Sequence, residues 1–163
     1  TLLNVGRDLP EKADLLVTET FDVGALGEGV ISTIKHARAN LLTDDAVIIP
    51  QSLQVYGALL ESETIYNRGR VKNVSGFDLS HFNIFKKPYY QLSLRNYPYR
   101  FLSEEFAIFN FDFIGEDILP ERKRMSILPI QAGICHAVAF WFHLVLNETQ
   151  VFKTTSDSNP NNH

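Results

Sequence analysis

The sequence is 163 residues long and 45% apolar, with 15 Lys and Arg against 19 Asp and Glu, a formal charge of −4 and a pI near 5.7. That length and apolar content suit one compact domain, or one small domain with part of another, and the charge leaves no basic footprint for nucleic acid or for an anionic membrane surface. A single cysteine, Cys135, excludes an internal disulfide framework and sets the expectation of a reducing compartment, cytoplasm or nucleus.

No apolar run approaches the roughly 20 residues that span a bilayer, and no basic-then-apolar leader opens the chain. The sequence begins at Thr1 and already reads like the middle of a domain, so a piece of a longer protein is expected. In a reducing compartment the sequons at Asn73 and Asn147 are chance matches.

In chain order, Ala13 to Thr18, "ADLLVT", is a continuous apolar run flanked by charge, as in a strand buried on both faces of a parallel sheet. "TETFDVGALGEGV" follows, with Glu19, Asp22 and Glu28 set among small and apolar residues. Burying unpaired carboxylates costs several kcal/mol, so these acids are either solvated or matched by a cation. From Gly29 to Leu42, Val30, Ile34, Ala37 and Leu41 recur at helical spacing, leaving Lys35, Arg38 and Asn40 for solvent. Strand, loop and helix make one unit of an open α/β sheet, in which ligands bind beyond the carboxyl ends of strands, where Glu19 falls.

Ala46 to Ile49 is a second apolar run, stopped by Pro50, and there the texture changes. Ser52–Ser62, Glu105–Gly115, Arg124–Ile130 and Gly133–Leu146 are strand-like, rich in β-branched and aromatic residues. In the second of these, Ala107, Phe109, Phe111 and Phe113 fall on one face and Ile108, Asn110 and Asp112 on the other. Strands separated by turns predict an antiparallel barrel or sandwich, with a domain boundary dividing 1–49 from 50–163. Tyr66 to Arg100 is aromatic and aperiodic, either an interface or a long connection packed on the barrel. The closing "TTSDSNPNNH" reads as a loop or a disordered end.

Other chemistries find little support. One cysteine and five dispersed histidines lack the spacing of a zinc site, and neither a P-loop nor a nucleophile elbow is present. "GALGEG" has a cofactor loop's glycine content without its order. His136 and His143, on an apolar segment, read as barrel surface or core, and Cys135 reads as a buried thiol. By themselves Glu19 and Glu28 read as a strand-end acid and a first-turn acid that favours a helix N-terminus.

Taken together, "ADLLVTETFDVGALGEGV" resembles the double-glutamate loop of protein arginine methyltransferases, in which two glutamates nine positions apart lie between an apolar strand and a helix; Glu19 and Glu28 have that separation. The likeness continues in order. "VIIPQSLQVYGALLES" is similar to the family's "IPxxAxxYxxxxES"-like passage, "SGFDLS" to its "YGFDMS"-like passage, and "GICHAVAFWFHLVL" to the strand before its Thr-His-Trp loop. The terminal "NNH" sets His163 at that loop's histidine, although Asn162 replaces the threonine and no tryptophan follows. "GEG", "VYGALLES" and "CHAVAFWF" resemble the branch of protein arginine N-methyltransferases 7 and 9, with 9 the nearer.

The resemblance implies an α+β architecture, the C-terminal part of a Rossmann-like methyltransferase domain followed by an antiparallel β-barrel. It implies S-adenosylmethionine as methyl donor, arginine-containing protein substrates, mono- and symmetric dimethylation, and a dimerisation arm near 66–91 serving a homodimer or an intrachain pseudo-dimer. Glu19 and Glu28 would be the catalytic pair that binds substrate, and His163 would help shape the pocket; Asp22 matches no family residue carried over. A guanidinium stays protonated with five donors in a planar fork, which two carboxylates can grip from two sides. The family's glycine-rich donor turn is absent here, so this stretch alone is expected to be inactive and to bind the donor poorly. The competing readings are a glycoside hydrolase, whose paired carboxylates would want aromatic platforms while Trp141 lies far off, and a non-catalytic binding module that kept the fold and lost the donor site.

Overall fold

The computed structural model describes residues 2–115 and 122–154. They fall into two compact units, one drawn from 2–57, 106–115, 122–125 and 140–154, the other from Ala58–Glu105 and Ser126–Ala139.

In the first unit, β1 (Ala13–Val17) pairs in parallel with β2 (Leu42–Ile49), Leu15 opposite Val47 and Val17 opposite Ile49, and α1 (Val30–Asn40) connects them. Helix α1 forms because Val30, Ile34 and Ala37 share one face, and all three are buried, as is Leu41 just past its end. Two sequence expectations need correction. β1 is not buried on both faces: Leu15 is 51% and Val17 64% exposed, because among the described residues β2 is its only partner in the ladder. Arg38 is not left to solvent; it donates to the Gly115 carbonyl.

β3 (Ser52–Glu61) runs from the first unit into the second. In the first, it pairs antiparallel with β7 (Phe106–Asp112), while β8 (Ala137–Val145) bonds its start through Gln51 N–H to the Val145 carbonyl at 2.7 Å. β9 (Val151–Lys153) closes a hairpin on β8, and Asn147 builds the turn by accepting from the N–H groups of Thr149 and Gln150, both at 2.9 Å. The core gathers Val30, Ile34, Leu53, Val55, Phe111, Phe113, Phe142 and Leu144.

The alternation expected along β7 holds from Phe109 to Phe113 and fails before it. The register shifts opposite Val55 and Tyr56, so Ala107 is exposed and Ile108 packs on the core; a bulge moves the pleat by one residue.

In the second unit, the far end of β3 pairs with β6 (Arg100–Phe101), and His136 N–H donates to the Leu60 carbonyl at 2.9 Å. The short helix α2 (Glu63–Asn67) starts where the Ser62 hydroxyl accepts from Ile65 N–H at 3.3 Å. β4 (Asn73–Val74) and β5 (Phe77–Asp78) form a small hairpin around Ser75 and Gly76, both at positive φ. A 3₁₀ turn over Ser80–Phe85 follows. Phe77, Phe82, Ile84, Phe85 and Tyr89 are all exposed, which makes the 66–91 segment an apolar surface.

Two further expectations fail here. The described residues of 124–130 form no strand; apart from Ile130 N–H to the Leu102 carbonyl at 2.8 Å, no backbone bond ties them into a ladder, and Pro129 has no N–H to give. Cys135 is exposed, because it precedes β8 and escapes the strand's alternation; its thiol points to the Ala137 carbonyl at 3.5 Å.

Candidate functional site: the acidic loop after β1

The loop from Thr18 to Gly29 leaves the carboxyl end of β1 and delivers the chain to α1. Thr18 N–H still donates to the Ile49 carbonyl at 3.0 Å, so the parallel ladder outlasts the strand by one residue. The chain then turns sharply. Phe21 N–H reaches the Glu19 carbonyl at 2.9 Å, and the hydroxyls of Thr18 and Thr20 lie 2.9 Å apart. Phe21 drops onto the core, its ring stacked 6.3 Å from that of Phe142.

Asp22 shapes the next turn. Its Oδ1 accepts from Gly24 N–H at 3.2 Å and from Gly27 N–H at 2.9 Å, while its carbonyl accepts from Ala25 N–H at 2.8 Å. Ala25 is fully buried at a φ of 66°, a conformation few non-glycine residues adopt. A Cβ at Gly27 would sit 2.2 Å from Asp22 Oδ2, so the carboxylate keeps this place only against glycine. Gly29, at a φ of 77°, then caps α1, and its carbonyl takes the hydroxyls of Ser32 at 2.7 Å and Thr33 at 3.2 Å.

On this scaffold Glu19 and Glu28 are both exposed, and no hydrogen bond or ion pair with a described residue engages either carboxylate. Each offers acceptors only. Glu28 precedes the cap Gly29, so it stands just before α1 and not in its first turn, which carries no acid. His163 lies outside the described residues. Sequence reading passed over Asp22 as a structural element, although its signal is there: an aspartate followed two and five positions later by glycine is the pattern of a side chain that bonds its own backbone.

His143 lies in β8 and His136 immediately before it. His143 is buried with its ring 4.6 Å from that of Tyr56. His136 Nδ1 accepts from Ser62 N–H at 3.1 Å, and its ring lies 5.1 Å from that of Tyr66. No three His, Cys, Asp or Glu side chains among the described residues are grouped to hold a metal ion.

No family model matches the sequence. Individual relatives do. An arginine N(omega)-methyltransferase of Streptomyces achromogenes subsp. streptozoticus is 30% identical over 164 residues, covering 100% of this chain and 45% of the relative. Protein arginine N-methyltransferase 7 of Drosophila yakuba is 31% identical over 163 residues, covering 91% of this chain and 24% of the relative. The curated relatives that match the chain are arginine N-methyltransferases. Relatives numbered 7 fit the branch its loop and barrel strands resemble.

The fold agrees. The Trypanosoma brucei PRMT1 enzyme–prozyme heterotetrameric complex with AdoHcy contains a chain that superposes with a TM-score of 0.72 at 22% identity, over 93% of this chain and 50% of that one. The architecture is therefore α+β, the end of a Rossmann-like methyltransferase domain followed by antiparallel barrel strands. The chain spans less than half the length of the curated relatives it matches.

Proposed function

We propose that the protein carrying this chain transfers methyl groups from S-adenosylmethionine to the guanidinium of arginine in protein substrates, with Glu19 and Glu28 as the clamp on the substrate. The observation that carries the reading is a pair of exposed, unengaged carboxylates on a hydrogen-bonded loop at the mouth of β1, in a chain whose curated relatives are arginine N-methyltransferases. Two carboxylates can neutralise the cation, accept its forked N–H groups and fix one terminal nitrogen for attack, so positioning and electrostatics supply most of the catalysis. His163 would complete the pocket.

The acidic loop fits a cationic acceptor and does not fit the donor. The N–H groups of Gly24 and Gly27, which might have cradled an anionic group, are already held by Asp22. In this proposal the donor's cradle belongs to another part of the protein, and this stretch alone neither binds S-adenosylmethionine measurably nor turns over.

Within this reading the product extends to symmetric dimethylarginine, in keeping with the 7/9 branch, and nearness to 9 belongs to the same proposal. The division at residue 49, with 50–163 forming the substrate-binding barrel, belongs to it too. The protein works in cytoplasm or nucleus, consistent with its lone cysteine. The exposed apolar surface at Phe77, Phe82, Ile84 and Phe85 serves a homodimer or a pseudo-dimer within one longer chain. That surface also favours the second reading, a binding module without catalysis.

The deciding experiment incubates the full-length protein with methyl-labelled S-adenosylmethionine and arginine-rich peptides and identifies the product by amino-acid analysis. Label on monomethyl and symmetric dimethylarginine supports the enzyme. Peptide binding with no label, under conditions where the donor is bound, supports the module.

A further inference from the structure

We infer that Asp22 is a positioning residue for the substrate clamp, acting through the backbone of the loop rather than by touching the ligand. The inference rests on the reading of Glu28 as one arm of that clamp.

Asp22 lies between the two glutamates, three residues after Glu19 and six before Glu28. Its Oδ1 takes the N–H of Gly27 at 2.9 Å, the residue immediately before Glu28, and the N–H of Gly24 at 3.2 Å. On the far side of Glu28, Gly29 N–H donates to the Leu26 carbonyl at 3.3 Å, and Gly29 itself is committed as the cap of α1. The Cα of Glu28 is thus fixed from both sides while its carboxylate remains unengaged. A long acidic side chain that must meet a planar cation has several rotatable bonds to order, and fixing its backbone beforehand reduces what binding must supply.

The packing at Gly27 shows the same contact from the other side. A Cβ there would meet Asp22 Oδ2 at 2.2 Å and Asp22 Cγ at 2.8 Å. The carboxylate lies flat against the backbone of the residue before Glu28, and only glycine permits that. Asp22 is half-buried and Ala25, inside the turn it closes, is fully buried, so the turn is seated on the core and cannot swing freely.

What the loop asks of Asp22 is an acceptor oxygen, not a negative charge. An asparagine offers the same carbonyl oxygen in the same place. If the residue met the substrate cation directly, its charge would matter and asparagine would fail.

The test uses the full-length protein and four variants, Asp22→Ala, Asp22→Asn, Gly27→Ala and Glu28→Gln. It measures kcat and KM for an arginine peptide, donor affinity by calorimetry, and the melting temperature. Asp22→Ala and Gly27→Ala should each lower kcat/KM by about 10²-fold, the cost of displacing a positioned group by roughly 1 Å, with the loss mainly in kcat and donor affinity unchanged. Asp22→Asn should stay within a few-fold of wild type. Turnover of Asp22→Asn as low as that of Asp22→Ala, or wild-type turnover of Asp22→Ala, overturns the inference. Should Asp22→Ala fail to fold, the kinetics of Asp22→Asn still decide. Glu28→Gln separates the two levels: if it is silent while Asp22→Ala is normal, only the positioning role falls; if it turns over normally, the clamp falls and the positioning role with it.

Discussion

Glu61 and Arg100 are register partners across the β3–β6 ladder and also each other's ion-pair partner. The pair extends beyond the two strands. Arg100 donates to Gln131 Oε1 at 3.2 Å and to the Ala132 carbonyl at 3.0 Å, while Glu61 Oε1 accepts from Ile134 N–H at 2.9 Å. One cross-strand pair therefore holds the stretch that leads into β8, where no ladder does so.

That geometry has a pH signature. The Ile134 N–H, and after it the Arg100 guanidinium, hold the Glu61 carboxyl below its ordinary value of 4.5. A folded-state value below the unfolded one means that the contribution to stability is fully present above about pH 4.5 and is lost as pH falls through the lowered folded value. Thermal melting of wild type and Glu61→Gln across pH 3–7 should show wild type ahead at neutral pH and the gap closing in acid; a gap independent of pH would contradict the assignment.

The proposed clamp of Glu19 and Glu28 predicts a separation of binding from chemistry. Glu19→Gln and Glu28→Gln keep the size and remove the charge of side chains that nothing else in the described structure engages. Each should lower methyl transfer by about 10²–10³-fold, the usual cost of losing one preorganised electrostatic partner, while calorimetry finds the donor bound as in wild type. Near-normal turnover in either variant would argue against the clamp.

How far the sequence could be read follows from where local pattern and tertiary packing agree. The periodicity of Val30, Ile34 and Ala37 shows α1 directly, because a helix face needs only its own residues to be recognised. Phe109, Phe111 and Phe113 show β7 in the same way. Ala107 and Ile108 were misassigned because a bulge depends on the partner strand, and Arg124 to Ile130 has a strand's composition without a strand's neighbours. Leu15 and Val17 look like buried residues and are exposed, since burial is a property of what covers a strand. Glu19 and Glu28 stand out in the sequence through spacing and resemblance, and the fold leaves both exposed on the loop after β1. Asp22 was visible too, but as a turn residue its value lies in bonds that no periodicity reports.

Phe113 tests the core. It is fully buried, its N–H is bound to the Gln51 carbonyl at 2.8 Å, and its ring belongs to the cluster that contains Ile34 and Leu53. Phe113→Ala should cost about 3–5 kcal/mol, from lost transfer energy plus the cavity left behind. Urea denaturation should show this as a lower midpoint at unchanged slope.

The exposed surface of the 66–91 segment leads to a measurement of assembly. Phe82 and Phe85 have ring centroids 6.5 Å apart and are 61% and 78% exposed, so changing them removes little from the interior. Phe82→Glu with Phe85→Glu should leave the melting temperature within a few degrees and shift a homodimer toward monomer in light scattering, because desolvating two carboxylates at an apolar interface is unfavourable. An unchanged monomeric mass in both proteins would favour the pseudo-dimer.

Ser62 joins three segments through one small side chain and its own backbone. Its hydroxyl donates to the Pro98 carbonyl at 2.6 Å and accepts from Ile65 N–H at 3.3 Å to start α2, and its N–H donates to His136 Nδ1 at 3.1 Å. The residue is 4% exposed, so water cannot readily replace what the hydroxyl supplies. Ser62→Ala loses the cap, worth about 1 kcal/mol, and leaves the Pro98 carbonyl without that donor, which adds about 1–3 kcal/mol where no other donor reaches it. Ser62→Thr keeps the hydroxyl and should recover most of the loss if the extra methyl is accommodated. A fall in the denaturation midpoint for alanine larger than that for threonine, with amide exchange in 63–67 accelerated only in the alanine variant, is the expected result; equal losses would mean that packing volume rather than hydrogen bonding sets the residue's contribution.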